Sequence, residues 1–132
     1  MRCTKLALLI LLLAVSAVIL TAGSVPAQDP LKVAPNTYKL VTENPRIRVL
    51  EVTLKPGEQV ATHSHPDHFG YFLSGGSLKI TNAAGKVTEM TAKAGDTSWI
   101  PAETHSAVNT GKTEVKLLVV ELKEPAPAPA KK

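Results

Sequence analysis

The sequence predicts an all-β fold, a small antiparallel β-barrel. Two observations carry that prediction. From Thr37 onward, short runs of alternating or β-branched residues are separated by turns rich in Gly, Pro and Asn, the pattern of a sandwich or barrel. In the same region no stretch repeats its apolar residues with the 3.6-residue period of a helix. The length suits one small barrel whose sheet is closed or nearly closed, which leaves few exposed edges.

The segments follow in chain order. Residues 1–27 stand outside the fold. "MRCTK" carries Arg2 and Lys5, the run from Leu6 to Leu20 is apolar apart from Ser16, and Val25 and Ala27 hold the small-residue positions before a cut. This is the layout of a secretory signal peptide cleaved after Ala27. The apolar run falls short of the about 20 residues that cross a bilayer, which weighs against an uncleaved anchor. Cys3 precedes the apolar run, too early for a lipoprotein cysteine. Residues 28–36 read as an N-terminal linker, 37–123 as the barrel domain, and 124–132, "EPAPAPAKK", as a disordered, solvated Pro/Ala tail. The expected location is periplasmic or secreted, with no membrane contact after cleavage.

Within the domain, "YKLV" is a strand ended by the Glu43-Asn44-Pro45 turn. "RIRVLEVTL" sets Ile47 and Val49 against Arg46 and Arg48, then Leu50, Val52 and Leu54 against Glu51 and Thr53, which implies a phase slip near Val49. Lys55-Pro56-Gly57 turns the chain into a strand bearing His63 and His65. Pro66-Asp67 turns it again, into "HFGYFLSGG". "SLKIT" and "KVTEMTA" flank a hairpin loop at Asn82-Ala83-Ala84-Gly85-Lys86. Ala94-Gly95-Asp96 precedes "TSWIP", and "EVKLLVVELK" closes the domain.

Composition excludes several functions. The formal charge is +4, and loss of Arg2 and Lys5 with the signal leaves 105 residues at +2. No basic stripe interleaved with aromatics is present, so nucleic acid is not an expected partner. The single cysteine goes with the signal. Disulfides, thiolate nucleophiles and cysteine-based zinc sites are therefore excluded from the mature chain. Ser77, Thr97 and Ser98 sit in no nucleophile motif, and Gly75-Gly76 lacks the Lys-Ser/Thr and helix of a phosphate loop.

The four histidines carry the chemistry. His63, His65 and His68 lie within "THSHPDHFGYFLSGG", and His105 lies in "WIPAETHSAVN". On a strand, His63 and His65 point to one face. The Pro66-Asp67 turn brings His68 back beside them. Buried imidazoles need partners for their nitrogens, and one divalent transition metal partners four at once. Imidazole suits Fe, Zn, Mn, Ni or Cu better than Mg or Ca. The plainer reading is a solvated His-rich loop that binds metal adventitiously. Tyr71, Phe72 and Trp99 cluster near the histidines as candidate pocket walls, although a strand Tyr is more often plain packing. Asp67 and Glu103 flank the histidines, either as groups that orient an imidazole or as solvent-facing turn residues, the reading favoured here.

At these residues the sequence resembles the cupin superfamily. The first motif of that family reads G-x5-H-x-H-x3,4-E-x6-G. Here Gly57, His63 and His65 match, His68 stands in for the Glu after a gap one residue shorter, and Gly75 completes the pattern. The second reads G-x5-P-x-G-x2-H-x3-N. Gly95, Pro101, His105 and Asn109 match, without the inner Gly and with a Pro-to-His gap one residue short. The likeness runs from about Tyr38 to Lys123. "HPDH" and "GDTSWIPAETH" are most similar to small single-domain bacterial cupins, some of which carry a β-alanine-degradation label. The resemblance implies a jelly-roll double-stranded β-helix, metal ligands at His63, His65, His68 and His105, and a homodimer as a common assembly. It implies a metal-dependent enzyme on a small carbonyl or carboxylate substrate, of dioxygenase, isomerase or lyase type. A non-catalytic cupin that holds a metal or small ligand is the alternative, since fold alone does not set function. A site of imidazoles alone leaves the full charge on the metal and makes it a stronger Lewis acid.

Overall fold

A computed structural model describes residues 28–124, so the signal-peptide reading and residues 125–132 of the Pro/Ala tail lie outside the described residues. One short helix, α1 (Pro30–Val33), precedes nine strands: β1 (Tyr38–Glu43), β2 (Ile47–Leu54), β3 (Gln59–His65), β4 (His68–Ser74), β5 (Gly76–Asn82), β6 (Val87–Ala92), β7 (Thr97–Ile100), β8 (Glu103–Asn109) and β9 (Val115–Leu122). Five strands form one sheet in the order β1-β2-β9-β4-β7, and four form a second in the order β3-β8-β5-β6. All strand pairs are antiparallel.

The inner faces of both sheets share one core. Leu50, Val52, Leu54, Phe72, Val115 and Val119 come from the five-stranded sheet; Val60, Leu78, Ala92 and Ala107 come from the four-stranded one. The all-β expectation holds, but the sheets are not closed into a barrel. One ladder ends at β1 and β7, the other at β3 and β6. Alternation along a strand specifies one buried face in a sandwich and in a barrel alike, so it does not separate the two.

Three local features depart from the sequence reading. First, β2 has no phase slip. Its register with β9 is continuous from Ile47 to Leu54, and Leu50, Val52 and Leu54 are buried on one face, which places Arg48 in phase with them. The irregularity lies in the partner strand, between Leu40 and Thr42. Second, residues 28–36 contain α1, whose single turn is too short to show a period. The Asp29 side chain caps it by accepting from the Leu31 N–H at 3.0 Å, Pro30 is buried, and Leu31 and Ala34 pack on the core. The Ser64 N–H donates to the Gln28 carbonyl at 2.8 Å, so this segment also covers part of edge strand β3. Third, β3 shifts register between Val60 and His63. That bulge puts Val60, His63 and His65 on the inner face together.

Two motif glycines are required by the backbone. Gly57 sits at φ +76° in the turn before β3, where only Gly is unstrained. At Gly75 a Cβ would run into the Ala92 carbonyl.

Candidate metal centre

The four histidines meet inside one end of the sandwich, from both sheets. His63 on β3 lies directly opposite His105 on β8, and His65 lies opposite Glu103. His68 opens β4 and faces them from the other sheet, beside Glu121 of β9. All four are buried, with exposures of 0 to 7%. Their rings pack edge-on or tilted. The His63–His105 centroids are 4.7 Å apart, His63–His65 4.8 Å, His65–His105 5.3 Å and His65–His68 4.8 Å.

Each imidazole is held from outside through Nδ1. His63 Nδ1–H donates to the Ala61 carbonyl at 2.8 Å, and His68 Nδ1–H to the Pro66 carbonyl at 2.8 Å. Both carbonyls lie two residues upstream; the β3 bulge presents the first and the β3–β4 turn the second. His65 Nδ1–H donates to Glu121 Oε1 at 2.6 Å, and His105 Nδ1–H to Glu103 Oε1 at 2.5 Å. Carbonyls and carboxylates only accept, so each ring carries its proton on Nδ1. That leaves each Nε2 unprotonated with its lone pair in place, the state a metal ligand needs.

Burial lowers the pKa of His63, His65 and His105 below the ordinary imidazole value. The Ala61 carbonyl opposes this at His63, Glu121 at His65 and Glu103 at His105, without reversing it. The three rings are therefore neutral at pH 7. Glu121 is buried as well, at 2% exposure. Burial works to raise its pKa, but hydrogen bonds from His65 and Arg48 outweigh that and hold the carboxyl below its ordinary range. Arg48 Nε donates to Glu121 Oε2 at 2.6 Å and its guanidinium also binds Asp29 at 3.1 Å. A charged chain thus runs from the α1 cap to His65. These carboxylates correct the expectation of an uncompensated metal charge: Glu121 and Glu103 place negative charge one bond beyond the imidazoles.

One ligand atom each from His63, His65 and His105 lies within 4.8 Å of the others. Around an ion with bonds of about 2.0–2.1 Å, ligand nitrogens sit roughly 3–4 Å apart, so small inward shifts bring the three onto one ion. The donor set therefore fits a transition metal. His68 packs against His65 from the opposite sheet with its ring tilted by 38°, but it is not one of the close three.

The pocket-wall candidates separate. Phe72 is buried in the core at 3% exposure, whereas Tyr71 and Trp99 are 41% and 69% exposed. Along β4, His68, Gly70 and Phe72 are buried while Tyr71 and Leu73 are not. Trp99 pairs with Phe69 and packs on it at a centroid distance of 5.2 Å. Tyr71 and Trp99 thus face away from the histidines, which corrects their reading as pocket residues. Glu103 does orient an imidazole. Asp67 instead accepts from the Ala102 N–H at 2.7 Å and pins two turns together. Asn109, the last motif residue, is fully buried and structural: its Nδ2 donates to the Leu54 and Thr113 carbonyls at 2.9 and 2.8 Å.

Sequence reasoning missed Tyr38, Arg48 and Glu121 as site residues. Tyr38 is buried, and its O–H donates to His63 Nε2 at 2.9 Å. Burial, with the Glu121 charge adding to it, pushes its phenol above the ordinary value. A surface cavity of about 760 Å³ opens at the same end of the sandwich, lined by turn residues including Pro45, Pro66, Asp67 and Ala102 and by no histidine.

The sequence profile of the cupin domain matches residues 50–121. No curated protein matches the chain. Among solved structures, a cupin domain from Bordetella pertussis Tohama I is 22% identical over 66% of this chain and 92% of its own, with a TM-score of 0.61. A conserved protein with a double-stranded β-helix domain from Klebsiella pneumoniae subsp. pneumoniae MGH 78578 is 27% identical over 67% of this chain and 84% of its own, with a TM-score of 0.52. The polyketide cyclase RemF from Streptomyces resistomycificus is 24% identical over 68% of this chain and 66% of its own, with a TM-score of 0.51.

Proposed function

The chain belongs to the cupin domain family, and on that premise we propose that it is a metal-dependent cupin acting on a small organic molecule with a carbonyl or carboxylate group. His63, His65 and His105 hold one divalent transition metal. The observation that supports this is the common tautomer: every imidazole gives its proton through Nδ1, so Nε2 of each is unprotonated and able to act as a ligand atom. When bound, the metal supplies Lewis acidity and attracts an oxygen-bearing substrate. Iron or copper in the same site would extend the chemistry to reactions of dioxygenase type.

The residues around the metal divide the remaining work. Glu121 and Glu103 fix two rings and make them stronger donors. Arg48 keeps Glu121 ionised and oriented. Tyr38 brings a protic hydroxyl to the cluster. Phe72, Val60 and Ala107 lie in the core that keeps the interior dry. One structural neighbour is a polyketide cyclase, so the fold carries catalysis in at least one relative. The signal-peptide layout of the first 27 residues supports a periplasmic or secreted location for this chemistry.

The second reading, a metal-holding cupin without catalysis, is favoured by closure. The histidines are at most 7% exposed. The test is a cobalt-loaded protein titrated with acetate and pyruvate. An open coordination position gives a carboxylate-dependent shift of the visible cobalt bands, as the catalytic reading expects; unchanged bands support the closed one.

A further inference from the structure

We propose that the Tyr38 hydroxyl competes with the metal for His63 and so sets how tightly the centre loads. This deepens the reading of His63 as a ligand and rests on it.

The argument is one of a shared lone pair. His63 Nδ1 gives its proton to the Ala61 carbonyl at 2.8 Å. Its Nε2 has a single lone pair, and the Tyr38 O–H donates into it at 2.9 Å. A metal bond of about 2.1 Å uses the same lone pair along the same direction. One nitrogen cannot serve both, so loading breaks the Tyr38 bond and moves the hydroxyl aside.

No other ring of the close three carries this load. His65 and His105 are bonded only through Nδ1. The Tyr38 ring is also firmly seated. It stands edge-on to His63 at 5.2 Å and tilted on His65 at 5.8 Å. The Tyr38 N–H donates to the Ala34 carbonyl at 2.9 Å, just after α1. With the His63 proton on Nδ1, the Tyr38 hydroxyl acts as the donor in its bond to Nε2. Tyr38 is a positioning residue: it holds His63 in the ligand tautomer and satisfies a buried nitrogen that would otherwise cost stability.

The test compares zinc affinity, by chelator competition, in the parent and in Tyr38→Phe. The variant keeps the ring and loses the hydroxyl, which leaves His63 Nε2 unpartnered until zinc arrives. About tenfold tighter zinc binding is expected. Equal or weaker binding overturns the proposal. A second measurement needs no variant. Tyr71 is exposed on the outer face, so zinc addition to the parent is expected to perturb the near-ultraviolet tyrosine band through Tyr38 alone; an unperturbed band at full zinc occupancy also overturns it. If neither form binds zinc, the ligand reading of His63 falls first and this proposal falls with it. Equal binding by both forms leaves that reading intact and removes only this one.

Discussion

At the scale of single residues, Glu121 joins the site's chemistry to its stability. Its two oxygens are shared between His65 and Arg48, and at 2% exposure it has no access to compensating water. Glu121→Gln removes the charge while keeping the shape. The single carbonyl oxygen of Gln can accept from only one of Arg48 and His65, and its amide N–H2 is left facing the other donor. Metal affinity is expected to fall about 10–100-fold, and the fold to lose roughly 3 kcal/mol, as read by chelator competition and urea denaturation. The imidazoles make a separate prediction about pH. Their folded pKa values lie below the unfolded value of 6.5. Below pH 6.5 the unfolded chain binds protons that the folded chain refuses. The metal-free protein is therefore fully stabilised above that pH and loses stability as pH falls toward the lowered values. Denaturation midpoints measured from pH 8 to 5 check the direction; a midpoint that rises toward acid contradicts it.

At the scale of elements, the placement of each imidazole follows from strand geometry. His63 and His65 are legible in the sequence because i and i+2 share a face, and His105 because Gly95, Pro101 and Asn109 of the second motif frame it, although the Pro-to-His gap is one residue short. Tyr38, Arg48 and Glu121 are not, since their bonds join residues 25 to 73 apart and depend on the β2-β9 pairing and on β3 of the other sheet packing against β1 and β9. A signal for Glu121 was nonetheless present. Val115, Val119 and Glu121 share the alternating buried phase of β9, and a carboxylate in an apolar phase asks for a partner. Trp99 misled because nearness in sequence says nothing about which face of β7 it takes. Asn109 is an element-scale anchor. It ties the end of β8 to β2 and to the loop before β9 through Leu54 and Thr113. Asn109→Ala leaves both carbonyls short of a donor and is expected to cost about 2–3 kcal/mol, measured by thermal or urea unfolding, with little change in the affinity of the folded protein for metal.

At the scale of the whole molecule, two open sheets packed face to face enclose the centre at one end. The sandwich was legible as an all-β domain from turn spacing and alternation, and its closure was not, because side-chain packing and a continuous ladder leave the same pattern. The N-terminal segment completes the enclosure. Gln28 lies along β3, and Asp29 reaches the centre through Arg48 and Glu121. Among the described residues no helix is long and apolar enough to cross a membrane. The central claim is that this enclosure exists to hold a metal. The most direct test is the metal content of the purified chain beside His105→Ala, each after reconstitution with iron, zinc, manganese, nickel or copper and removal of excess. The account predicts about one tightly held equivalent of at least one of these metals in the parent, and little in the variant. A parent that takes up no metal, or a variant that holds as much as the parent, would contradict it.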